Sequence, residues 1–88
     1  MYKYLVEFLG TAFFVYVIFA TGNPLAIGAA LALVILIASP ISGGCINPAV
    51  SIAMASAGKL STQDLIPYIL AETFGALVGF EIFKRFKL

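Results

Sequence analysis

Ser42-Gly43-Gly44-Cys45-Ile46-Asn47-Pro48-Ala49-Val50 ends one apolar run and starts a helix inside apolar surroundings. Asparagine is a preferred N-cap, and proline suits the first helical position, where its missing N–H removes no bond. The stretch therefore predicts a helix beginning at Pro48. Ala49 to Ala57 is small or apolar, and Gly58 stops it. At 1.5 Å per residue, a segment of about 10 residues is roughly 15 Å long, half the hydrocarbon thickness of a bilayer. A helix starting at the bilayer midplane presents its positive end and free N–H groups there, at the depth where membrane proteins handle solutes.

Composition places this stretch in lipid. Of 88 residues, 62% are hydrophobic and 10% charged, against about 25% charged in soluble domains. Such a chain suffices for roughly three or four crossings of about 20 residues each. A net charge of +1 argues against nucleic acid as a partner. The lone Cys45 makes no internal disulfide, and no Cys/His cluster has metal-ligand spacing. With no nucleophile–base pair and no phosphate loop, neither an enzyme nor a cofactor is expected.

Tyr4 to Ala20 is a first apolar run, ended by the turn cluster Thr21-Gly22-Asn23-Pro24. Its basic start and length also suit a signal peptide, but Glu7 lies within it and no small-x-small cleavage pattern is well placed, so it reads as a retained helix. Leu25 to Ser39 reads as a second, short spanning helix closed by Pro40, with a loop from Pro40 to Cys45 before the half-helix. After the break at Gly58-Lys59-Leu60, Ser61 is an N-cap with Asp64 at the capping-box position. A third spanning helix follows, with a mild kink expected at Pro67. Gly75 and Gly79 form a Gly-x-x-x-Gly step that suits either internal packing or a subunit contact. Glu81 and Arg85 can pair at its end. The expected architecture is one all-α membrane unit: helices over about 4–20, 25–39 and 62–83, with a re-entrant loop and half-helix over about 40–57.

The Asn-Pro-Ala box with its lead-in, Ile41 to Val50, resembles the first half of the aquaporin and aquaglyceroporin (major intrinsic protein) family. Two more segments match in order and spacing: Glu7-Phe-Leu-Gly-Thr-Ala-Phe-Phe-Val15 and Tyr68-Ile-Leu-Ala-Glu-Thr-Phe-Gly-Ala-Leu-Val78. The resemblance implies a passive channel of two inverted repeats, whose half-helices meet end to end and whose boxes face a single-file pore. This chain holds one such repeat, so the implied pore needs two copies in opposite orientations. Because the family groups four pores, the analogous particle is four such dimers.

Site expectations follow from the box. The non-helical stretch through Gly43, Gly44, Cys45 and Ile46 is compatible with hydrocarbon if the carbonyls from Ser42 to Ile46 line water and accept hydrogen bonds from a solute. Asn47, beside Pro48 and Ala49, is expected to donate its amide to water or a polyol at the midplane, the alternative being a pure cap. An ionised acid at the centre of a spanning helix costs about 2.5–3.5 kcal/mol, so Glu7 and Glu72 each need a partner. Glu7 matches the family's buried glutamate that supports the loop. Glu72 is read as a second loop-supporting acid, with a proton relay as the alternative. The family's second repeat places an arginine after its box, where this chain has Val50, and the second-helix filter position falls on Ile27. The implied constriction is less polar than in a strict water channel, which favours glycerol or other small neutral solutes. Cys45 replaces a histidine often found before the box, either lining the vestibule or buried against the loop.

Two other classes fit the same residues. Small dual-topology exporters also carry a membrane glutamate, so Glu7 or Glu72 could form a proton-coupled site. A non-conducting membrane subunit, or a remnant needing a full-length partner, is the third reading. Charge bears on orientation: Lys3 and Lys59 share one side and Lys84, Arg85 and Lys87 the other, a weak asymmetry under the positive-inside rule. Dual insertion is the expected outcome. Reporter tags on either terminus should each be found on both faces of the membrane, and a tag confined to one face rules out the antiparallel pair.

Overall fold

The computed structural model describes residues 2–87. Four helices follow in order: α1 (Lys3–Thr21), α2 (Pro24–Ser42), α3 (Pro48–Ser56) and α4 (Thr62–Arg85). Their ends follow local chemistry. Gly22, at φ 56°, takes the left-handed position after α1 and donates its N–H to Ile18 O at 3.0 Å. Asn23 caps α2 by accepting from the N–H groups of Leu25 and Ala26, with Pro24 in the first helical turn. Asn47 caps α3 through the Ala49 N–H at 2.8 Å. Ser61 caps α4 through Gln63 N–H at 3.1 Å.

Two expectations are corrected by this geometry. Pro40 does not close α2, which continues to Ser42. A proline inside a helix frees only the carbonyl one turn back, and chain reversal waits for Gly43, whose φ of 91° admits the left-handed cap with N–H donated to Ser39 O at 3.1 Å. Asp64 does not fold back onto Ser61. Its carboxylate takes Lys3 Nζ at 2.7 Å and the Tyr4 hydroxyl at 2.6 Å, tying the start of α4 to the start of α1.

Side chains are distributed inside out relative to a soluble domain. Glu7, Thr11, Ser42, Ser51 and Glu72 are buried, while Leu25, Leu36, Ile66 and Phe74 are exposed. That pattern suits a lipid solvent, in which polar groups must find partners internally. α1, α2 and α4 are long and apolar enough to cross a membrane, and the 9 residues of α3 span about 14 Å. The chain is an integral, multi-pass membrane protein.

α1 lies between α2 and α4, and α3 rests on α4. α1 and α4 run parallel: Lys3 meets Asp64 at one end, and Tyr16 packs edge-on to Phe83 at the other. Between these ends, Gly75 and Gly79 both face α1. A Cβ added at Gly75 would lie 2.5 Å from Phe8 O, and one at Gly79 would strike Ala12 O. The Gly-x-x-x-Gly step is therefore internal packing, letting the two backbones approach closely. Because α1 and α4 point the same way, α2 returns the chain to the Lys3 side. The loop then dips back to mid-depth and α3 climbs out again, which makes it re-entrant.

Gly79→Ala should cost about 1–3 kcal/mol of helix-packing stability, since a backbone carbonyl cannot rotate aside. Gly28→Ala, which meets nothing within 4 Å, should be neutral or stabilising by up to about 1 kcal/mol. Equilibrium unfolding in detergent compares the two variants.

Candidate functional site

The site is built where the re-entrant loop turns. Its backbone is held from α1 by two side chains one helical turn apart, Glu7 and Thr11. Glu7 accepts the Ile46 N–H at 2.8 Å and the Ser42 hydroxyl at 2.5 Å, and Thr11 donates its hydroxyl to Ile46 O at 3.0 Å. From α4, the Tyr68 hydroxyl donates to Ser42 O at 2.6 Å. Both backbone polar groups of Ile46 are thus fixed. This matters because Ile46 has φ 63°, a conformation costly for a β-branched residue and kept only where the surroundings over-determine it. Its side chain packs with Val34 and Ala38 and is 1% exposed.

α3 is held separately. Ser51, one turn after Asn47, donates its hydroxyl to both oxygens of Glu72 at 2.8 and 3.0 Å. Glu72 therefore grips the half-helix, whereas Glu7 grips the loop. Asn47 Oδ1 is committed to the Ala49 N–H, and its Nδ2 makes no hydrogen bond among the described residues. Asn47 is itself exposed. Capping and donation are compatible: the cap fixes the rotamer and leaves the two amide hydrogens free.

Not all of the expected carbonyls are free. Those of Ser42 and Ile46 are taken by Tyr68 and Thr11, which corrects the expectation that the whole stretch faces water. The carbonyls of Gly43, Gly44 and Cys45 have no hydrogen-bonding partner among the described residues. These three residues line a groove of about 280 Å³ together with Asn47, and its apolar wall includes Leu31, Ile35 and Val50. A second cavity of about 320 Å³ lies beyond the start of α3, between α1 and α4, and Pro48 and Glu72 are among its lining residues. Phe14, Ile46 and Asn47 line both, so Asn47 stands where the two meet.

Ile27 is half-buried and does not line the groove; α2 contributes Leu31, one turn on, and Ile35. Ala49 is exposed beside the cap. Cys45 is 6% exposed, with its thiol inside the molecule. Cys45, Glu7 and Glu72 bring their ligand atoms within 4.8 Å of one another, and each Glu7 oxygen also meets a group of the loop. Sequence reasoning missed Thr11, Ser51, Tyr68 and Phe14. Spacing held a signal for the first three, each lying four residues from a residue already singled out: Glu7, Asn47 and Glu72.

Residues 1–87 match the family model described as Major intrinsic protein. The chain is 42% identical to glycerol uptake facilitator protein-like 6 of Lactiplantibacillus plantarum, over 98% of this chain and 44% of that protein. It is 41% identical to aquaporin-8 of Mus musculus over 91% of this chain and 35% of the relative. With aquaporin NIP3-1 of Zea mays it shares 42% identity, over 73% and 21%. The chain spans less than half the length of these relatives. No solved structure matches it.

Glu7→Ala strands two buried donors and should cost about 1–3 kcal/mol for each. Glu7→Gln, which keeps one acceptor oxygen, should lose less. Thermal unfolding in detergent orders wild type above Glu7→Gln above Glu7→Ala, and equal stability of all three would remove Glu7 from the loop's support.

Proposed function

The chain belongs to the major intrinsic protein family, and we propose that it forms a passive membrane channel for water and small neutral solutes such as glycerol. In this reading two copies in opposite orientations complete the pore, and four such pairs form the particle. The observation that carries it is the polar strip at Asn47: a side chain with free amide hydrogens follows three residues with unpartnered carbonyls, and all four line one groove. A molecule that both donates and accepts hydrogen bonds can exchange water contacts for this strip without crossing a desolvated gap. An ion cannot, because an unpaired charge in so apolar a groove has too few ligands. The relatives' names, a glycerol uptake facilitator protein and an aquaporin, support the same solute class.

The second copy is motivated by what one chain lacks. α1, α2, the loop and α3 wall the groove, and α4 contributes no lining residue. A facing wall from an inverted copy would close it and bring a second Asn47 to the same depth. The two positive α3 ends would then point at each other across the solute path, opposing cations. Glu7 and Glu72 act in this reading as supports for the loop and the half-helix.

Proteoliposomes examined by stopped-flow light scattering test the proposal. Water and glycerol flux should exceed that of empty liposomes without any pH gradient. Asn47→Asp keeps the capping oxygen but removes the amide donors. It should slow flux about tenfold, the equivalent of losing a hydrogen bond of about 1.4 kcal/mol. Flux that appears only with a pH gradient would replace the channel by a proton-coupled exporter.

A further inference from the structure

Glu7 and Glu72 come from different helices, are both 0% exposed, and place carboxyl oxygens within 4.8 Å of each other. Among the described residues no basic side chain reaches them. Lys3 is engaged by Asp64, Lys84 and Arg85 lie at Glu81, Lys59 lies in the turn before α4, and Lys87 sits over Phe83 beyond the end of α4. The other groups facing the pair are neutral or polar: the Cys45 thiol from the loop, the Tyr68 phenol one turn away on α4, Thr11 on α1, Ser42 from α2 and Ser51 from α3. Two adjacent carboxylates with no cation in an apolar interior are not a stable arrangement, since like charges at this separation cannot both ionise cheaply.

We propose that Glu7 and Glu72 share a single proton, carried by Glu72, so that the pair holds one negative charge beside the first turn of α3. The hydrogen bonds decide which acid carries it. Glu7 accepts the Ile46 N–H on one oxygen and meets the Ser42 hydroxyl at 2.5 Å on the other, a set of contacts that suits the carboxylate. Glu72 receives only the Ser51 hydroxyl, shared between its oxygens, and keeps capacity to donate toward Glu7. The shared proton joins α1 to α4 at the depth where the loop and α3 are both fixed. The remaining negative charge offsets the positive end of α3.

The consequence is a pH-sensitive support. Removing the proton leaves two facing carboxylates and pushes Glu72 off the pair. Because Glu72 also holds Ser51 and lines the cavity next to Asn47 and Pro48, α3 loses its anchor at the mouth of the groove. A glutamine at position 72 is neutral and can donate to Glu7 permanently, so it mimics the protonated acid.

Infrared spectroscopy of reconstituted wild-type protein, with glutamate labelled by carbon-13, tests the charge state independently of any transport. The expected result at pH 7 is one isotope-shifted protonated-carboxyl C=O band per chain, retained in Glu81→Gln and absent from Glu72→Gln. Absence of that band in the wild type overturns the proposal whatever the variants do, as does its persistence in Glu72→Gln. On raising the pH the wild-type band should disappear, and amide hydrogen exchange of the loop and α3 should accelerate at least tenfold over the same interval. In Glu72→Gln loop exchange should stay at its neutral-pH level apart from the intrinsic rise with hydroxide. An equal acceleration in both proteins overturns the support role. A flux measurement that fails while the band is present counts against the channel reading and leaves the shared proton standing.

Discussion

The Ile46 amide N–H, donated to Glu7 at 2.8 Å, is the bond on which the site depends. A chain that leaves helical geometry inside hydrocarbon must find partners for backbone groups that a helix would have satisfied, and water is absent to supply them. Here the partner is a carboxylate from α1. With Thr11 holding the other side of the same residue, the loop keeps a φ of 63° at isoleucine. That conformation turns the chain from the descending loop into α3 within one residue. The loop carbonyls that remain free are those of Gly43, Gly44 and Cys45, along the groove. Internal satisfaction at the ends of the loop and its absence between them arise from one arrangement.

The same economy appears at Asn47. Read as a cap, it serves the Ala49 N–H; read as a donor, it offers two amide hydrogens. These readings compete only if the side chain can rotate. Once Oδ1 is held, the amide nitrogen is directed away from α3, and a local helix-start signal becomes a fixed polar contact. Ser51 extends this logic by one turn, tying α3 to Glu72 so that the cap cannot drift.

Much of the fold was legible in the sequence because its boundaries are set by short-range chemistry. Asn47-Pro48, Ser61 and the Gly22 turn need only their neighbours to act, and each ends or starts a helix where local rules place it. What failed depended on distant partners. Pro40 looked like a terminator, yet its ring is tolerated within α2 and Gly43 does the terminating. Asp64 looked like a capping-box acid until Lys3 and Tyr4 proved to be within its reach. The direction of the Gly75 and Gly79 face was undecidable locally, since a small-residue step is the same whether it meets α1 or another chain; the Phe8 and Ala12 carbonyls decide it. The site divides in the same way. The box and both buried acids were legible as types. The hydroxyls that complete them were hidden because serine, threonine and tyrosine are unremarkable in a spanning helix until a partner faces them.

A final constraint bears on the solute class proposed for the groove. The groove is lined by Gly43, Gly44 and Cys45, whose carbonyls are unpartnered, by Asn47 with its amide donor, and by hydrocarbon from Leu31, Ile35 and Val50. Pure water gains nothing from the hydrocarbon, whereas a polyol has a carbon face to lay against it and hydroxyls to turn toward the strip. Val50, in the first turn of α3, brings neither charge nor hydrogen-bond capacity to the position where the family resemblance implies an arginine in a second repeat. On the proposed reading, the groove's discrimination therefore resides in the alignment of polar strip and apolar wall, and that alignment is set by how firmly Glu7 holds the loop that carries the strip.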